Sequence, residues 1–268
     1  MIIDRAWVNK FYSGELIFRL PDDATIIDNL AFDDCVCLKE VLLPDTLQCI
    51  GIRAFEHCIN LEKIRIPDSV KSIGSYAFEC CNNLKEVELP KSGVAFGIRV
   101  FAMCYALKRI ELSNNISIIP KGLFQDCWNL SSVKIPNTIE YFGSDIFRDC
   151  SSLMSDVSNY KAFGIKYNED GKEELWCRDY EFNVNCWSEE VSAIQPCKSG
   201  YHFVNNLFSI FNYYCGAIDE DIAIYECEIG ERVLQYGDKL VTNKIKPVRR
   251  LYCEDVIEIL NGKHIDQI

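Results

Sequence analysis

The sequence has very little histidine, a shortage of positive charge and no long apolar run. Its three histidines (His57, His202 and His264) leave almost no room for catalysis built on histidine pairs. No stretch approaches the roughly 18 consecutive apolar residues of a transmembrane helix. Asp and Glu (40) outnumber Lys and Arg (28), so the net charge is −12, whereas nucleic acids and anionic membranes are bound through clusters of Lys and Arg. We therefore expect neither of them as the main partner.

Motifs of catalysis and of export are also missing. The sequence contains no Gly-rich phosphate loop, no nucleophile elbow and no paired-histidine metal motif, so we expect no cofactor. The N-terminal Met-Ile-Ile is followed at once by Asp4 and Arg5, without the apolar segment of at least about seven residues that a secretory signal contains. These absences predict a cytoplasmic protein.

What the sequence has in abundance is a 23-residue unit, repeated six times between Phe18 and Leu153. Each copy opens with a β-branched or aromatic residue, and Pro follows three residues later except at Ser113. A fixed period without slips is the signature of a solenoid, in which stacked copies share one core. The most regular columns are Phe32, Phe55, Phe78, Phe101, Phe124 and Phe147; Cys35, Cys58, Cys81, Cys104, Cys127 and Cys150; and Leu38, Leu61, Leu84, Leu107, Leu130 and Leu153.

Each copy contains the same succession of local structures. An alternating run such as Ile64-Arg65-Ile66 predicts a strand, which Pro67 ends by removing a ladder donor. A turn that often carries Gly and a second short extended segment follow. The Ala-Phe-x-x-Cys segment has room for one or two turns of helix. Stacking the copies predicts a parallel sheet that is exposed on one face.

The repeat resembles the BspA-like class of leucine-rich repeats. The likeness implies an α/β leucine-rich-repeat solenoid of about six 23-residue repeats, and a scaffold for protein binding or surface recognition. Departures from the pattern are Ser113 for Pro, Pro120 for Gly, and Phe96 and Phe142 in an aliphatic column, and they concern local curvature. The residues that carry the likeness are Leu61 to Val70, Ile73-Gly74, Ala77-Phe78 and Cys81 to Leu84.

Three segments are predicted along the chain: an N-terminal cap (1–17), the solenoid (18–154) and a compact α+β domain (155–268) that also covers the last repeat. Asp170-Gly171 predicts a hairpin turn, because this dipeptide accepts positive φ. The predicted strands of the second domain are 161–167, 172–177, 180–184, 222–229 and 244–251, and the predicted helices are 207–214 and 253–260.

The exposed strand face carries charges that alternate in sign from one copy to the next. Residues 23 apart become neighbours on adjacent parallel strands, where opposite charges attract. One interpretation is a ladder that neutralises itself, and the other is a charged docking face for a protein partner. The candidate residues are Lys63, Arg65, Glu86, Glu88, Arg109 and Glu111.

A second candidate interface lies on a loop column of the repeat. Tyr105 and Trp128 are neighbours there, at a position with no fixed apolar demand. Exposed aromatic residues are common hot spots of protein interfaces. The alternative is that both rings pack locally over the edge of the repeat.

The fifteen cysteines are interpreted as structural thiols. A tetrahedral zinc site needs convergent thiolates, but the repeat supplies one cysteine per copy on an apolar face, where free Cys is common. The cysteines beyond the repeat show no pairing pattern. We therefore expect no metal site, and reduced thiols.

In the second domain the most site-like residues are Tyr201, His202, Glu226 and Glu228. The region resembles an uncharacterised domain of bacterial and phage-related proteins, on residues such as 200–203, 211–214 and 224–228. The order of Gly-aromatic-His, Tyr-Tyr and Glu-x-Glu is distantly similar to that of ADP-ribosyltransferase-like folds. That similarity implies aromatic contacts to nicotinamide and a Glu that polarises the ribose. Lys161 or Arg178 would replace the usual first-strand Arg or His.

These observations predict a recognition scaffold in which the solenoid holds a protein partner and the second domain is a cap or an effector module. One alternative is an ADP-ribosyltransferase-like enzyme that the repeats direct to its target. Another is a surface adhesion protein.

Overall fold

The computed structural model describes residues 1–153 throughout and, beyond them, residues 160–167, 169, 173–177, 180–182, 188, 201–236 and 239–262. The chain divides into two compact units, Met1–Leu153 and Met154–Ile268. Among the described residues, no helix combines the length and the apolar character needed to cross a membrane.

The first unit is a parallel solenoid of about six turns with a spacing of about 23 residues, as predicted. Each turn contributes a first strand of three residues and a second strand of two. In chain order its elements are β1 (Ile2–Ile3), α1 (Arg5–Phe11), β2 (Ile17–Arg19), β3 (Ile26–Ile27), β4 (Glu40–Leu42), β5 (Cys49–Ile50), β6 (Lys63–Arg65), β7 (Ser72–Ile73), β8 (Glu86–Glu88), β9 (Ala95–Phe96), β10 (Arg109–Glu111), β11 (Ile118–Ile119), β12 (Ser132–Lys134) and β13 (Tyr141–Phe142).

Strands of successive turns pair in parallel, and the register follows the repeat. Lys63 pairs with Glu86 and Ile64 with Val87, which are 23 residues apart. The first strands form the stack β2-β4-β6-β8, and the second strands form the stack β1-β3-β5-β7-β9. Each column of the repeat therefore becomes a line of adjacent side chains.

The phenylalanine column is the centre of the core. Phe32, Phe55, Phe78, Phe101 and Phe124 are fully buried. Their rings stack nearly parallel, with centroids 4.9 Å apart between Phe32 and Phe55 and 6.1 Å apart between Phe101 and Phe124. Stacked aromatic rings add to the stabilisation that their buried area provides.

The cysteine column has a polar role inside the apolar core. The Cys81 thiol donates a hydrogen bond to the carbonyl oxygen of Phe55 in the preceding turn at 3.2 Å, and Cys104 does the same to Phe78 at 3.3 Å. Cys58, Cys127 and Cys150 repeat this contact in their own turns. A buried carbonyl without a partner is costly, and a thiol supplies a donor while remaining mostly apolar.

The segment around each Phe is a pair of tight turns, so the predicted helical turns were wrong. Arg53 (φ 55°) and His57 (φ 57°) flank Phe55 in the left-handed region, and every turn repeats these two positions. Left-handed residues interrupt a right-handed helix. The backbone bonds to the next turn instead: the N–H of Phe55 donates to the carbonyl of Ala77 at 2.8 Å.

Glycine is required in its column by the close approach of neighbouring turns. A Cβ on Gly74 would lie 2.5 Å from the backbone nitrogen of Ile52, and one on Gly97 would lie 2.3 Å from that of Ser75. Real Cβ contacts are essentially never this short, so a side chain here would push the turns apart.

Residues 1–17 pack against the first turn. Asp4 caps α1 by accepting a hydrogen bond from the backbone N–H of Trp7 at 2.7 Å. The rings of Tyr12 and Phe18 lie 6.4 and 6.2 Å from Phe32, the first ring of the stack. Aromatic side chains therefore continue the phenylalanine stack towards the N-terminus.

Both strand stacks are interrupted between the fourth and fifth turns. Within residues 1–153, β8 does not pair with β10, nor β9 with β11. In the glycine column Gly74 donates to the carbonyl of Ile50 at 2.8 Å, but Pro120 has no N–H with which to do the same. Gly93 stands in a column that has a buried apolar side chain in the neighbouring turns, such as Val70 and Ile116. In the fourth turn the next residue, Val94, is buried instead.

On the opposite side of the interruption the turns remain bonded. The N–H groups of Arg99, Phe101 and Met103 donate to the fifth turn at 2.8 to 3.0 Å. The departure at Pro120 thus changes how two turns meet without ending the solenoid.

The second unit is α+β, as predicted. Its described strands form a five-stranded antiparallel sheet, β16-β15-β14-β18-β21, and a three-stranded sheet, β17-β20-β19. Phe163, Phe203, Tyr225 and Ile245 belong to one core that joins both sheets. The elements are β14 (Tyr160–Tyr167), β15 (Glu173–Cys177), β16 (Tyr180–Phe182), β17 (Tyr201–Phe203), a 3₁₀ helix (Leu207–Asn212), β18 (Ile222–Ile229), β19 (Val233–Tyr236), β20 (Lys239–Thr242), β21 (Ile245–Leu251) and α2 (Cys253–Leu260).

Most predicted elements of this unit are confirmed. The hairpin of β14 and β15, strands β18 and β21, and helix α2 lie where the patterns indicated. The helix predicted over 207–214 is instead a short 3₁₀ helix, in which the N–H of Tyr213 bonds to the carbonyl of Ile210, three residues back. Residues 168, 170–172 and 183–184 of the predicted hairpin turn and strand lie outside the described residues.

Replacing Gly74 by alanine tests the contact between turns. We expect Gly74→Ala to lower the free energy of unfolding by about 1 to 3 kcal/mol or more, because the added Cβ overpacks against the backbone of Ile52. The measurement is the urea midpoint followed by far-UV circular dichroism. Lys71→Ala, at an exposed position of the same turn, should change stability by less than about 0.5 kcal/mol. An unchanged midpoint for Gly74→Ala would contradict the close approach.

Thiol labelling tests the cysteine column. Burial raises the pKa of Cys150 to about 12 and holds that of Cys58, Cys81 and Cys127 well above the usual value of a thiol, and the thiolate is the reactive form. We expect the exposed Cys37 and Cys215 to be alkylated in the native protein, and the column only after denaturation, as read by mass spectrometry of the peptides. Labelling of Cys81 or Cys127 at the rate of Cys37 would contradict this.

Candidate functional site

The strand face forms ion pairs across the turns. Lys63 Nζ lies 3.0 Å from Glu40 Oε1, and Arg65 Nε lies 3.7 Å from Glu88 Oε2. Lys134 pairs with Glu111 in the same way. These contacts join residues 23 apart, as in the predicted ladder, so much of the charge on this face is neutralised within the protein.

Two of the predicted face residues lie at the interruption instead. Glu86 belongs to β8 and Arg109 to β10, and these strands do not pair. Neither residue forms an ion pair with any residue that the structure describes, although their charges are opposite. The ladder of charges is therefore broken where the backbone ladder is broken.

The loop column is apolar or aromatic at four of its six positions, and we call the edge along which it runs the turn edge: Val36, Ile59, Asn82, Tyr105, Trp128 and Ser151. Val36, Ile59 and Trp128 are 39, 37 and 50% exposed. Tyr105 stacks on Trp128 with ring centroids 4.3 Å apart and planes 21° apart. The structure thus brings the two predicted aromatic residues together, and it leaves half of the Trp128 surface open to solvent.

Two carboxylates lie in the column two residues before the aromatic one, and the sequence analysis missed them. Burial raises the pKa of Tyr105, and the charges of Cys80 and Asp126 raise it further, so Asp126 acts on this ring. Asp126 accepts a hydrogen bond from Gln125 Nε2 at 3.1 Å, and Asp149 lies 3.6 Å from Arg148 Nε. Partial burial raises the pKa of Asp126, and contact with Asp149 raises it further. The signal was present in the 23-residue register, since one column contains Asp at two successive turns.

Two open clefts lie on the solenoid. One of about 440 Å³ lies at the start of the strand face and is lined by Arg19, Glu40, Leu42 and Arg65, among others. The second, of about 360 Å³, lies at the interruption and is lined by residues 92–96 and 115–118 together with Lys71. Neither cleft includes the aromatic pair.

One group of side chains could hold a metal ion. Asp33, Glu56 and His57 each offer a ligand atom, and these atoms lie within 4.8 Å of one another. His57 Nδ1 is 3.4 Å from Asp33 Oδ1, and Arg53 lies 3.7 Å from the buried Glu56. Glu56 thus already has an ion-pair partner within the protein, Arg53. The expectation that the protein has no metal stays a prediction.

The candidates of the second unit lie on two different sheets. Tyr201 and His202 belong to β17, but their side chains lie outside what is described; Glu226 and Glu228 belong to β18. Glu226 pairs with Arg249 at 3.5 Å and Glu228 with Lys246 at 2.9 Å, both on β21. Each carboxylate therefore has a neighbouring strand's cation as its partner.

Of the two residues predicted to replace the first-strand Arg or His, Lys161 belongs to the described residues. Lys161 lies on β14 and is only 2% exposed. Arg178 lies outside the described residues.

The stacked columns and the parallel strands define a leucine-rich-repeat solenoid. Residues 25–154 match the family "BspA type Leucine rich repeat region" in six copies. Residues 160–259 match a domain of unknown function, DUF7666. No curated protein matches the chain.

Several solved leucine-rich-repeat proteins are similar to the chain. A leucine-rich repeat protein of T. pallidum shares 26% identity, with a TM-score of 0.46, over 53% of this chain and 79% of that one. A leucine-rich cell surface protein of Faecalibacterium prausnitzii shares 21% (TM-score 0.48, 60% and 54%). A leucine-rich repeat protein of Bacteroides ovatus shares 22% (TM-score 0.35, 52% and 48%). The chain thus spans about half the length of the last two.

A double-mutant cycle tests the charge ladder. For Glu40→Gln with Lys63→Met we expect a coupling free energy of about 0.2 to 1 kcal/mol, which decreases as salt is added. The measurement is the stability of the two single variants and the double variant in urea. The same cycle on Glu86 and Arg109 is the matched control and should give no coupling. Equal coupling in both cycles would contradict the interruption.

Proposed function

We propose that the solenoid is a recognition scaffold that holds a protein partner through its turn edge, and that the C-terminal unit acts as a cap or an effector module. Leucine-rich repeats present long exposed columns on a rigid frame, and such columns suit contacts with an extended surface of another protein. The partner contacts are assigned first to Tyr105 and Trp128.

The observation that carries this proposal is the exposed indole of Trp128 stacked on Tyr105. Interface hot spots are enriched in Trp and Tyr, because a rigid ring buries much area at a small entropy cost. The core does not require an aromatic residue at this position, since other turns have Asn82 or Ser151 there. The ring pair is thus available to a partner.

The strand face is a weaker candidate for the contact. Lys63, Arg65, Glu88 and Glu111 already have partners on adjacent strands, and a binding protein would have to replace these ion pairs. Each exposed ion pair contributes little to the free energy of folding or binding. We assign this face an auxiliary role, in which Glu86 and Arg109 are the residues available to complementary charges.

The enzyme alternative remains a prediction. An ADP-ribosyltransferase-like reaction would need a Glu that acts on the substrate, and both Glu226 and Glu228 are engaged by cations of β21. No observation in the described residues favours this activity specifically, so we do not advance it as a second function.

The cytoplasmic location is likewise a proposal, with surface adhesion as its alternative. It is supported by the cysteine column, because a thiol must stay reduced to donate its hydrogen bond to the preceding turn. An oxidising compartment would favour disulfides. Thiol titration of freshly isolated protein separates the two: free thiols support the cytoplasm, and extensive bridging supports export.

Binding measurements on the full-length protein test the proposed surface. Proteins from an extract of the source cells are captured on the native chain and on Tyr105→Ala/Trp128→Ala, and each protein lost from the variant is purified for calorimetry. We expect the double variant to bind its partner at least about 30-fold more weakly, because removal of a hot spot costs about 2 kcal/mol or more.

The matched control is Glu88→Gln/Glu111→Gln, which removes two charges from the strand face and leaves the aromatic pair intact. It should bind within about threefold of the native chain. The proposal fails if the aromatic variant binds normally while this control does not.

A further inference from the structure

One face of the Trp128 indole is open. Tyr105, one turn before, covers the other face at 4.3 Å. One turn after, the same column contains Ser151, which is too small to cover a ring and is itself exposed. Half of the Trp128 side chain is exposed, and among the described residues of its column no ring follows it.

Two carboxylates lie in the column next to that of Tyr105 and Trp128, and the charge of Asp126 acts on Tyr105. Asp126 and Asp149 each come two residues before Trp128 and Ser151 in their own turns, and their side chains contact each other. The backbone N–H of Asp126 donates to the carbonyl of Arg148 at 2.7 Å, which holds the two turns together at this point. Both residues have φ near 60°, so their backbone conformation is the same and sets the direction of each Cα–Cβ bond.

Negative charge is in excess around these carboxylates. Lys121 pairs with Asp145 at 3.6 Å, and Arg148 pairs with Asp149 at the same distance. The partner of Asp126 is the neutral amide of Gln125. Among the described residues Asp126 has no ion-pair partner. Burial raises its pKa, and the like charge of Asp149 raises it further, while Arg99, which pairs with Glu79 at 3.0 Å, acts in the opposite direction. A cation from outside would relieve this repulsion.

An indole ring with two carboxylates in the neighbouring column has the chemistry that recognises a planar cation. The π-face attracts a cation placed over it, and a guanidinium can stack on the ring while its N–H groups donate to carboxylates at its edge. An ammonium group offers neither the plane nor the fork. A phosphate would be repelled, which excludes nucleic acid at this place.

We infer that the site formed by Trp128, Asp126 and Asp149 binds an arginine side chain of the protein partner, with the guanidinium over the open face of the indole. The inference rests on the proposed function, because it names the chemistry of the partner that the turn edge holds. The complementarity of charge makes the occupant a basic segment of another protein.

The test uses the full chain labelled with 5-fluorotryptophan and observed by ¹⁹F NMR, with the Trp128 signal assigned through Trp128→Phe. The probe is the peptide acetyl-Gly-Gly-Arg-Gly-Gly-amide, and the matched control replaces Arg by citrulline, which is neutral and nearly isosteric. We expect a saturable shift of the Trp128 signal with the arginine peptide and at least tenfold weaker binding of the citrulline peptide. A third peptide has Lys in place of Arg. Equal binding of the citrulline peptide or of this lysine peptide would overturn the inference.

Variants of the carboxylates give a second readout. Asp126→Asn/Asp149→Asn should weaken the arginine peptide at least tenfold, and Asn accepts the positive φ of both positions, so the fold is preserved. Arg148→Ala removes the internal competitor for Asp149 and should strengthen binding severalfold. Glu140→Gln, at an exposed position of the sixth turn outside the proposed sites, is the control and should change nothing. An unaffected carboxylate variant would overturn the inference.

The outcomes separate this inference from the proposed function. If the arginine peptide does not bind but Tyr105→Ala/Trp128→Ala still loses its partner, the scaffold stands and the arginine site is wrong. If the native chain is a dimer in sedimentation and Trp128→Ala is a monomer, a second copy occupies the surface and the inference is overturned.

Discussion

The solenoid depends on contact between the backbones of successive turns. Gly74 and Gly97 leave so little space above the preceding turn that a single Cβ would not fit. At this separation the N–H groups of one turn reach the carbonyls of the next both in the strands and beside each Phe. The stacked rings of the phenylalanine column and the thiols of the cysteine column fill the space enclosed by these bonds. Each turn lacks a core of its own and is stable only between its neighbours.

The same constraint decides where function can lie. The residue types of the buried columns are constrained, because each Phe, Cys and Leu must pack against the same column in the turn above and in the turn below. Exposed columns are free to vary, and residues 23 apart in the chain become neighbours in them. The charged strand columns use this freedom to pair Lys63 with Glu40 and Arg65 with Glu88. The turn edge uses it to bring Trp128 and Tyr105 together, and the neighbouring column brings Asp126 and Asp149 together.

The sequence predicts the solenoid well because its period is itself the register. The facing of Lys63 and Glu40 follows from counting 23 residues, and so does the stacking of Tyr105 on Trp128. The left-handed turns were not predicted, since residues such as Arg53, Tyr76 and Arg99 are not types that favour positive φ. The hydrogen bonds of the thiols were also missed, because composition indicates only that buried cysteines pack well. In the second unit the pattern located strands such as β18 and β21, but the ion pairs of Glu226 and Glu228 depend on pairing between distant segments.

The interruption at Pro120 has a mechanical consequence. Where the fourth and fifth turns meet, the strand side lacks the backbone ladder while the side next to the phenylalanine rings keeps it, so these two turns are bonded along one side only. Tyr105 belongs to the fourth turn and Trp128 to the fifth, so the aromatic stack spans this junction. A partner seated on both rings would add a link between the two turns that does not depend on the strands.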